Sequence, residues 1–363
     1  MPSNGLWTEA FRVERRGIDG LAGLAGGVAS CLPLVLGVAL DEPEIGVAAC
    51  FGGLNAALAV PRGNLRKRLG WGSVAALACG VSFALATAVQ DSVAGSAVAA
   101  FVVIGLAAFL RTLGPSGGLT GFVIGAIFVI ANGIPAGSLD VGTRTLWFML
   151  GSLVGLLLMV AAYSRDAPPP DADAPPLGRV LERGVQRIRD AIAGDALLRA
   201  HALRLASIVA ATTLLYQALG LEHGYWVPLT VLAVLQPEEH ASDVRALQRA
   251  AGTLVGTAVI ALLTIATGAE WLMVACQGLA AFWLFALASR GYFWLVVMIT
   301  PTALLTLSAV DYQGAAVAAE RAAWSALGIV IGLAVAELLW SLAPHRADTP
   351  PARSDGRRAS PPG

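Results

Sequence analysis

The stretch RTLWFMLGSLVG, residues 144–155, recurs as RAAWSALGIVIG at 321–332. Arg144, Trp147, Gly151 and Gly155 stand 177 residues before Arg321, Trp324, Gly328 and Gly332. Residues three and four apart share one face of a helix, so the four matches form a single stripe. Each copy opens an apolar run, and twelve such runs alternate with loops. They lie at about 18–40, 45–60, 71–89, 95–110, 119–134, 144–163, 201–220, 225–236, 250–267, 271–289, 292–309 and 321–343. A straight crossing of hydrocarbon takes roughly 20 apolar residues. The pattern predicts an all-α membrane protein of about twelve transmembrane helices in two six-helix repeats. Six is even, so both repeats insert the same way up. They are then parallel repeats, related by a pseudo-two-fold axis along the membrane normal. Leu40-Asp41 matching Leu221-Glu222, and Arg68/Gly72 matching Arg249/Gly252, extend the repeat toward the start of each half.

Composition points the same way. Hydrophobic residues make up 56% of the chain and charged residues 13%, against about 25% charged in soluble domains. The net charge is zero, so no polyanion partner such as a nucleic acid is implied; the lipid bilayer is the expected partner. If every run crosses, all 24 Lys and Arg except Arg144 and Arg321 fall on one side. Positive residues favour the cytoplasmic face, which places both termini there in a multi-pass membrane protein. The loop 61–70, PRGNLRKRLG, is the clearest cytoplasmic marker, and the acidic loop 41–44 lies outside. The segments are then 1–17, a cytoplasmic N-terminal stretch; 18–163, the first repeat; 164–200, a cytoplasmic linker; 201–343, the second repeat; and 344–363, a polar, Pro-rich, disordered tail. The first apolar run has no small-residue cleavage site and is read as a helix, not a signal peptide. In the linker, Pro168–Pro170, Pro175 and Pro176 favour extended chain. Leu177, Leu181, Val185, Ile188 and Ile192 then mark an amphipathic helix, suited to the membrane surface or to packing on cytoplasmic loops.

Cations inside a membrane are costly, about 2.5–3.5 kcal/mol for Arg. Arg144 and Arg321 are repeat-equivalent and sit at external helix ends. They are candidate substrate-binding groups that attract an anion. The alternative is an ion-paired helix cap, since Asp140 precedes Arg144 and Glu320 and Asp311 lie near Arg321. The eighth run, GYWVPLTVLAVLQP at 224–237, is short and interrupted. Short, Gly/Pro-broken spans at matching places in two repeats point to a binding site. Tyr225, Trp226 and Thr230 are candidates there, with an interfacial aromatic belt as the alternative for Trp226. Pro228 and Pro237 are candidate structural breaks. Thr300-Pro301-Thr302 is a further break, with Thr300 as a substrate-binding candidate. Asp311, Glu222 and Glu337 are candidate proton-coupling carboxylates. His223 beside Glu222 is either an external gate or a solvated loop residue.

Several classes are disfavoured. Cys31, Cys50, Cys79 and Cys276 lie in apolar runs without CxxC spacing and read as small hydrophobes. His201, His223, His240 and His345 are scattered, with no HxxxH or HExxH, so no metal site or cofactor is expected. No Walker A, GxSxG or Rossmann glycine pattern occurs. The expectation is therefore a protein that is not an enzyme.

The segment Tyr225-Trp-Val-Pro228-Leu-Thr230 through Gln236-Pro237, Arg245-Ala-Leu-Gln-Arg249 and Gly252-Thr253 to Gly256 resembles the fusaric acid resistance protein-like family of the aromatic acid exporter superfamily. Ile299-Thr300-Pro301 and Asp311…Arg321…Gly328 resemble its later elements. The resemblance covers about 225–332. It implies an inner-membrane exporter of aromatic or other small carboxylates, proton-driven, in some members with a periplasmic adaptor. Plant malate channels of the superfamily resemble one half and pair into an anion pore, which implies an axis-lining role for Arg144 and Arg321. Family exporters often carry large cytoplasmic domains after each half; here 164–200 and a short tail stand in those places. The leading expectation is secondary efflux of small organic anions. A passive anion channel and a non-transporting membrane scaffold are the alternatives.

Overall fold

The computed structural model describes residues 4–11, 17–135, 137–165, 177–266, 270–310 and 315–341. The linker prolines, Asp311 and the tail lie outside the described residues. Seven helices belong to the first half of the chain: α1 (Asn4–Ala10), α2 (Gly20–Ala39), α3 (Pro43–Ala59), α4 (Leu65–Val89), α5 (Val93–Ala108), α6 (Pro115–Gly133) and α7 (Val141–Ala162). Then follow α8 (Leu177–Gly194), α9 (Ala196–Ala218), α10 (Trp226–Val234), α11 (Glu239–Ala266), α12 (Glu270–Leu287), α13 (Tyr292–Leu307) and α14 (Ala315–Ser341). No strand occurs among the described residues.

Local chemistry sets the helix starts. Asp19, Asn64, Ser92, Asp140 and Asp195 each accept a backbone N–H of the first turn with their side chains, satisfying donors that have no partner inside the helix. Pro43 and Pro115 open α3 and α6, where a missing N–H costs nothing. Between α5 and α6 the chain turns at Gly114, φ +91°, and between α12 and α13 at Gly291, φ +126°. Both are left-handed positions that favour glycine, and each follows a short 3-10 turn.

The basic marker 61–70 is not wholly a loop. Leu65–Leu69 already belong to α4, because Asn64 caps it by accepting from Lys67 N at 2.9 Å. Arg68 is buried and donates from Nη1 to Val160 O at 2.8 Å and Ser164 Oγ at 3.3 Å. Nor does the Thr300-Pro301-Thr302 break interrupt a helix, since α13 runs through Pro301. Proline frees the carbonyl of the residue four before it, here Val297. Neither hydroxyl takes that carbonyl: Thr300 donates to Val296 O at 3.0 Å and Thr302 to Met298 O at 2.8 Å. The Val297 carbonyl instead lies against Gly256 of α11, where a Cβ would come within 2.8 Å. Pro228 sits in the first turn of α10 without breaking it, whereas Pro237 lies in the gap between α10 and α11.

Seven helical spans are long and apolar enough to cross a membrane, and α3 and α13 are shorter apolar helices. Their outward faces are apolar. Leu24, Leu77, Val81, Leu106 and Leu153 are all more than half exposed, a surface that water would not favour. Inside this shell lie α3 and α10, buried along nearly their whole length. At about 1.5 Å per residue, α10 is far too short to cross alone.

Neighbour relations recur. α3 packs on α7 and α10 on α14; α4 packs on α6 and α11 on α13; α5 packs on α6 and α12 on α13. Across the halves, α5 lies along α9 while α12 lies along α2. Glycines make these seams close. A Cβ on Gly151 or Gly155 of α7 would collide with the carbonyl of Ala49 or Gly53 on α3. On α2, Gly23 and Gly26 receive Phe282 and Phe285 of α12. Small residues permit such approach where the hydrophobic effect gives no drive between helices.

Candidate functional site

The N-terminal end of α10 faces a cavity of about 420 Å³ between the halves. Its walls include Glu44 and Phe51 of α3, Phe83 of α4, Arg144 of α7, Tyr216 of α9, and Glu222, His223 and Tyr225 ahead of α10. The structure thus gathers three of the sequence-predicted residues, Arg144, Tyr225 and Glu222, around one space.

Arg144 is buried and well supplied with acceptors. Nη1 donates to Thr87 Oγ1 at 3.4 Å and Gln90 Oε1 at 3.3 Å, and Nη2 donates to Ile134 O at 3.1 Å. Its guanidinium lies 5.2 Å from the Phe83 ring centroid. The ion pair with Asp140 does not form. Asp140 is occupied as the helix cap, accepting from Gly142 N at 2.8 Å, Thr143 N at 3.0 Å and Thr143 Oγ1 at 2.6 Å. The Thr143 hydroxyl and these amides hold the Asp140 carboxyl below its usual range.

Arg321 occupies a different environment. It is 1% exposed, and its Cζ sits 3.6 Å from the Trp226 ring centroid. Its Nε and Nη1 reach no hydrogen-bond partner among the described residues. Glu320 turns to His223 instead, at 3.1 Å. Trp226 Nε1, Thr230 Oγ1 and Ser325 Oγ are likewise buried without partners, as are Nε and Nη2 of Arg249 on α11. Arg249 lies within electrostatic reach of Arg321. α10, α11 and α14 pack against one another here, and Gly328 lets α14 approach Val227 O and Thr230. Buried charges are normally paired. A guanidinium with open donors, stacked on an indole, has the geometry to accept a planar anion.

Tyr225 links the two places. It lines the cavity, and its ring tilts against Trp226 with centroids 4.5 Å apart. Tyr225 and Trp226 are both buried, so neither belongs to an interfacial aromatic belt. Thr300 lies elsewhere, back-bonded to α13 and packed on α11. Glu337 is exposed, sixteen residues beyond Arg321 on α14; it is not desolvated as a buried proton carrier would be.

A polar network escaped the sequence reading. Asn132 of α6 donates to Ser96 Oγ at 2.8 Å and Ala86 O at 3.3 Å, and accepts from Tyr216 Oη at 3.2 Å and Gln217 Nε2 at 2.9 Å. It ties α4, α5, α6 and α9 together behind the cavity wall. An amide in an apolar run was its one visible signal.

Residues 209–335 match the family model described as fusaric acid resistance protein-like. This part of the chain resembles that family. The fusaric acid resistance-like region contains α10, Arg249 and Arg321 and ends before Glu337. Curated relatives agree in part. The chain is 33% identical over 144 residues to an uncharacterized protein, ORF2, of Neisseria gonorrhoeae, covering 39% of this chain and 34% of that one. It is 28% identical over 217 residues to the inner membrane protein YccS of Escherichia coli, covering 58% and 29%. It is 29% identical over 140 residues to an uncharacterized protein of Haemophilus influenzae, covering 39% and 20%. The chain thus spans about a third or less of the length of the curated relatives it matches. No solved structure matches it. The apolar helices and the family region together make this a multi-pass membrane protein.

Proposed function

We propose that the chain is a secondary transporter exporting small organic anions, aromatic carboxylates among them, across the inner membrane in exchange for protons. The observation that carries this is Arg321: a buried guanidinium lying on Trp226 with Nε and Nη1 open. Arg144 guides the anion through the cavity, and Tyr225, Trp226 and Thr230 line its way. Glu222, on the cavity wall, handles the proton. Twelve crossings in two parallel repeats frame the site. Support for that comes from the matched neighbour pairs, the equivalent turns at Gly114 and Gly291, and the reciprocal seams α5–α9 and α12–α2. Arg62, Arg66 and Lys67 lie at the linker end of the helices, which is then the cytoplasmic end.

The test is uptake of labelled benzoate into inside-out vesicles, with and without an imposed proton gradient. Accumulation above equilibrium, abolished by an uncoupler, is the expected result. Flux that only equilibrates would make the protein a passive channel. Absence of flux for a panel of organic anions would remove the transport reading.

A further inference from the structure

The opposite end of α10 meets a second cavity, of about 570 Å³. Five polar side chains from different elements converge on it: Arg111 after α5, His201 on α9, Gln236 after α10, Arg245 on α11 and Tyr292 on α13. Arg111 Nη2 donates to Gln236 Oε1 at 3.2 Å. The Arg245 guanidinium lies 4.0 Å from the Tyr292 ring centroid. His201 is 2% exposed, and neither its Nδ1 nor the Tyr292 hydroxyl has a hydrogen-bond partner among the described residues. Among the described residues no carboxylate lines the cavity; Glu238 acts on Arg111 only as a nearby charge. The remaining wall is apolar, with Phe122, Leu205, Leu232 and Leu295.

These features argue for an occupant. Two guanidiniums face a space whose described lining residues supply no anion. Their present partners, an amide oxygen and a ring face, are weaker than a carboxylate. An imidazole and a phenol on the same lining each carry a buried hydrogen-bonding atom with no partner among the described residues. Ligand pockets of about 300–1,000 Å³ combine apolar walls with a few convergent polar groups, and this cavity has that make-up.

We infer that this cavity is a binding site for a small carboxylate with an apolar, ring-sized body. Arg111 and Arg245 grip the carboxylate, Tyr292 and His201 donate or accept beside it, and the apolar wall takes the ring. The inference rests on the organic-anion reading, of which it is the loading site: the cavity shares its end of the bundle with Arg62, Arg66 and Lys67. Leu232 and Ile104 of its lining pack closely on Gly125, where a Cβ would meet them at 2.9 Å and 2.7 Å.

The experiment is equilibrium binding of benzoate to the purified full chain in detergent, followed by calorimetry. Wild type is expected to bind. Arg111→Gln and Arg245→Gln should each weaken binding at least about tenfold, since hydrogen bonds to charged groups are worth about 1.5–3 kcal/mol. Lys67→Gln, an exposed charge at the same end, should not. Gly118→Leu supplies a test independent of charge. Its Cβ meets nothing nearer than Arg111 Cγ at 3.7 Å, so the side chain enters the cavity and should abolish binding without disturbing the fold. No binding by wild type, or equal affinity in Arg111→Gln and Gly118→Leu, overturns the site. Benzoate accumulation in vesicles alongside unaltered binding in these variants would discard the cavity and keep the exporter. Cavity-dependent binding without any vesicle flux would do the reverse.

Discussion

Arg144 and Arg321 open similar stretches of sequence 177 residues apart and stand in opposite energetic situations. Replacing Arg144 by Gln leaves the Thr87, Gln90 and Ile134 oxygens without their donor, and stability should fall by about 1–3 kcal/mol, read as a lower melting midpoint. Replacing Arg321 by Gln removes a buried charge whose Nε and Nη1 have no partner among the described residues. The lost stacking on Trp226, about 2 kcal/mol or less, is offset by relief of desolvation. The melting midpoint should therefore hold or rise while benzoate transport falls by about a hundredfold, as when a buried charge contact is lost. A fall in both would recast Arg321 as structural. A different titration governs the tie between α1 and α11. His240 Nε2 lies 2.7 Å from Glu9, whose hydrogen bond and charge raise the His240 pKa. A raised histidine stabilises while protonated and loses that contribution as pH rises through its folded pKa. Proteolysis near α1 should speed up between mildly acidic and alkaline pH, and Glu9→Gln should flatten the dependence.

At the scale of the element, glycines of equal rank in the repeat differ in how tightly they are held. A Cβ on Gly155 collides with the Gly53 carbonyl, whereas one on Gly332 meets Val234 Cγ1 at an ordinary 3.8 Å. Gly155→Ala should cost about 1–3 kcal/mol through overpacking. Gly332→Ala should be neutral or gain up to about 1 kcal/mol from helix propensity. Thermal unfolding of the two variants decides this. The sequence could not separate them, because the difference lies in the facing helix: α3 runs 17 residues and α10 only 9. It did show that the chain is helical and where the long apolar helices lie, although α1 carried no apolar run and α11 and α14 start well before theirs. It also showed that α10 is special, through Pro228 and Pro237. It misjudged Pro301, because a proline's freed carbonyl can be covered by a neighbour's glycine, and that neighbour is found only in three dimensions. The cavity at the far end of α10 was illegible for the same reason. Arg111, His201 and Arg245 come from three elements with no common spacing, whereas Arg144 and Arg321 announced themselves by repetition.

On the scale of the whole molecule, the halves are joined by exchange. α5 lies on α9, and α12 lies on α2. Separate expression of 1–165 should therefore give a poorly stable fragment, and co-expression with 177–363 should restore a complex that co-purifies. Recovery of a well-behaved 1–165 monomer would show that the seams add little.

The seam between α2 and α12 also sets a schedule for biosynthesis. Gly23 and Gly26 leave the ribosome early, whereas Phe282 and Phe285, which fill them, come more than 250 residues later. At bacterial elongation rates of roughly 5–20 residues per second, that is a wait on the order of tens of seconds. During it the glycine face of α2 rests against lipid or the insertion machinery, so the α2–α12 seam closes only after residues 282–285 have been made.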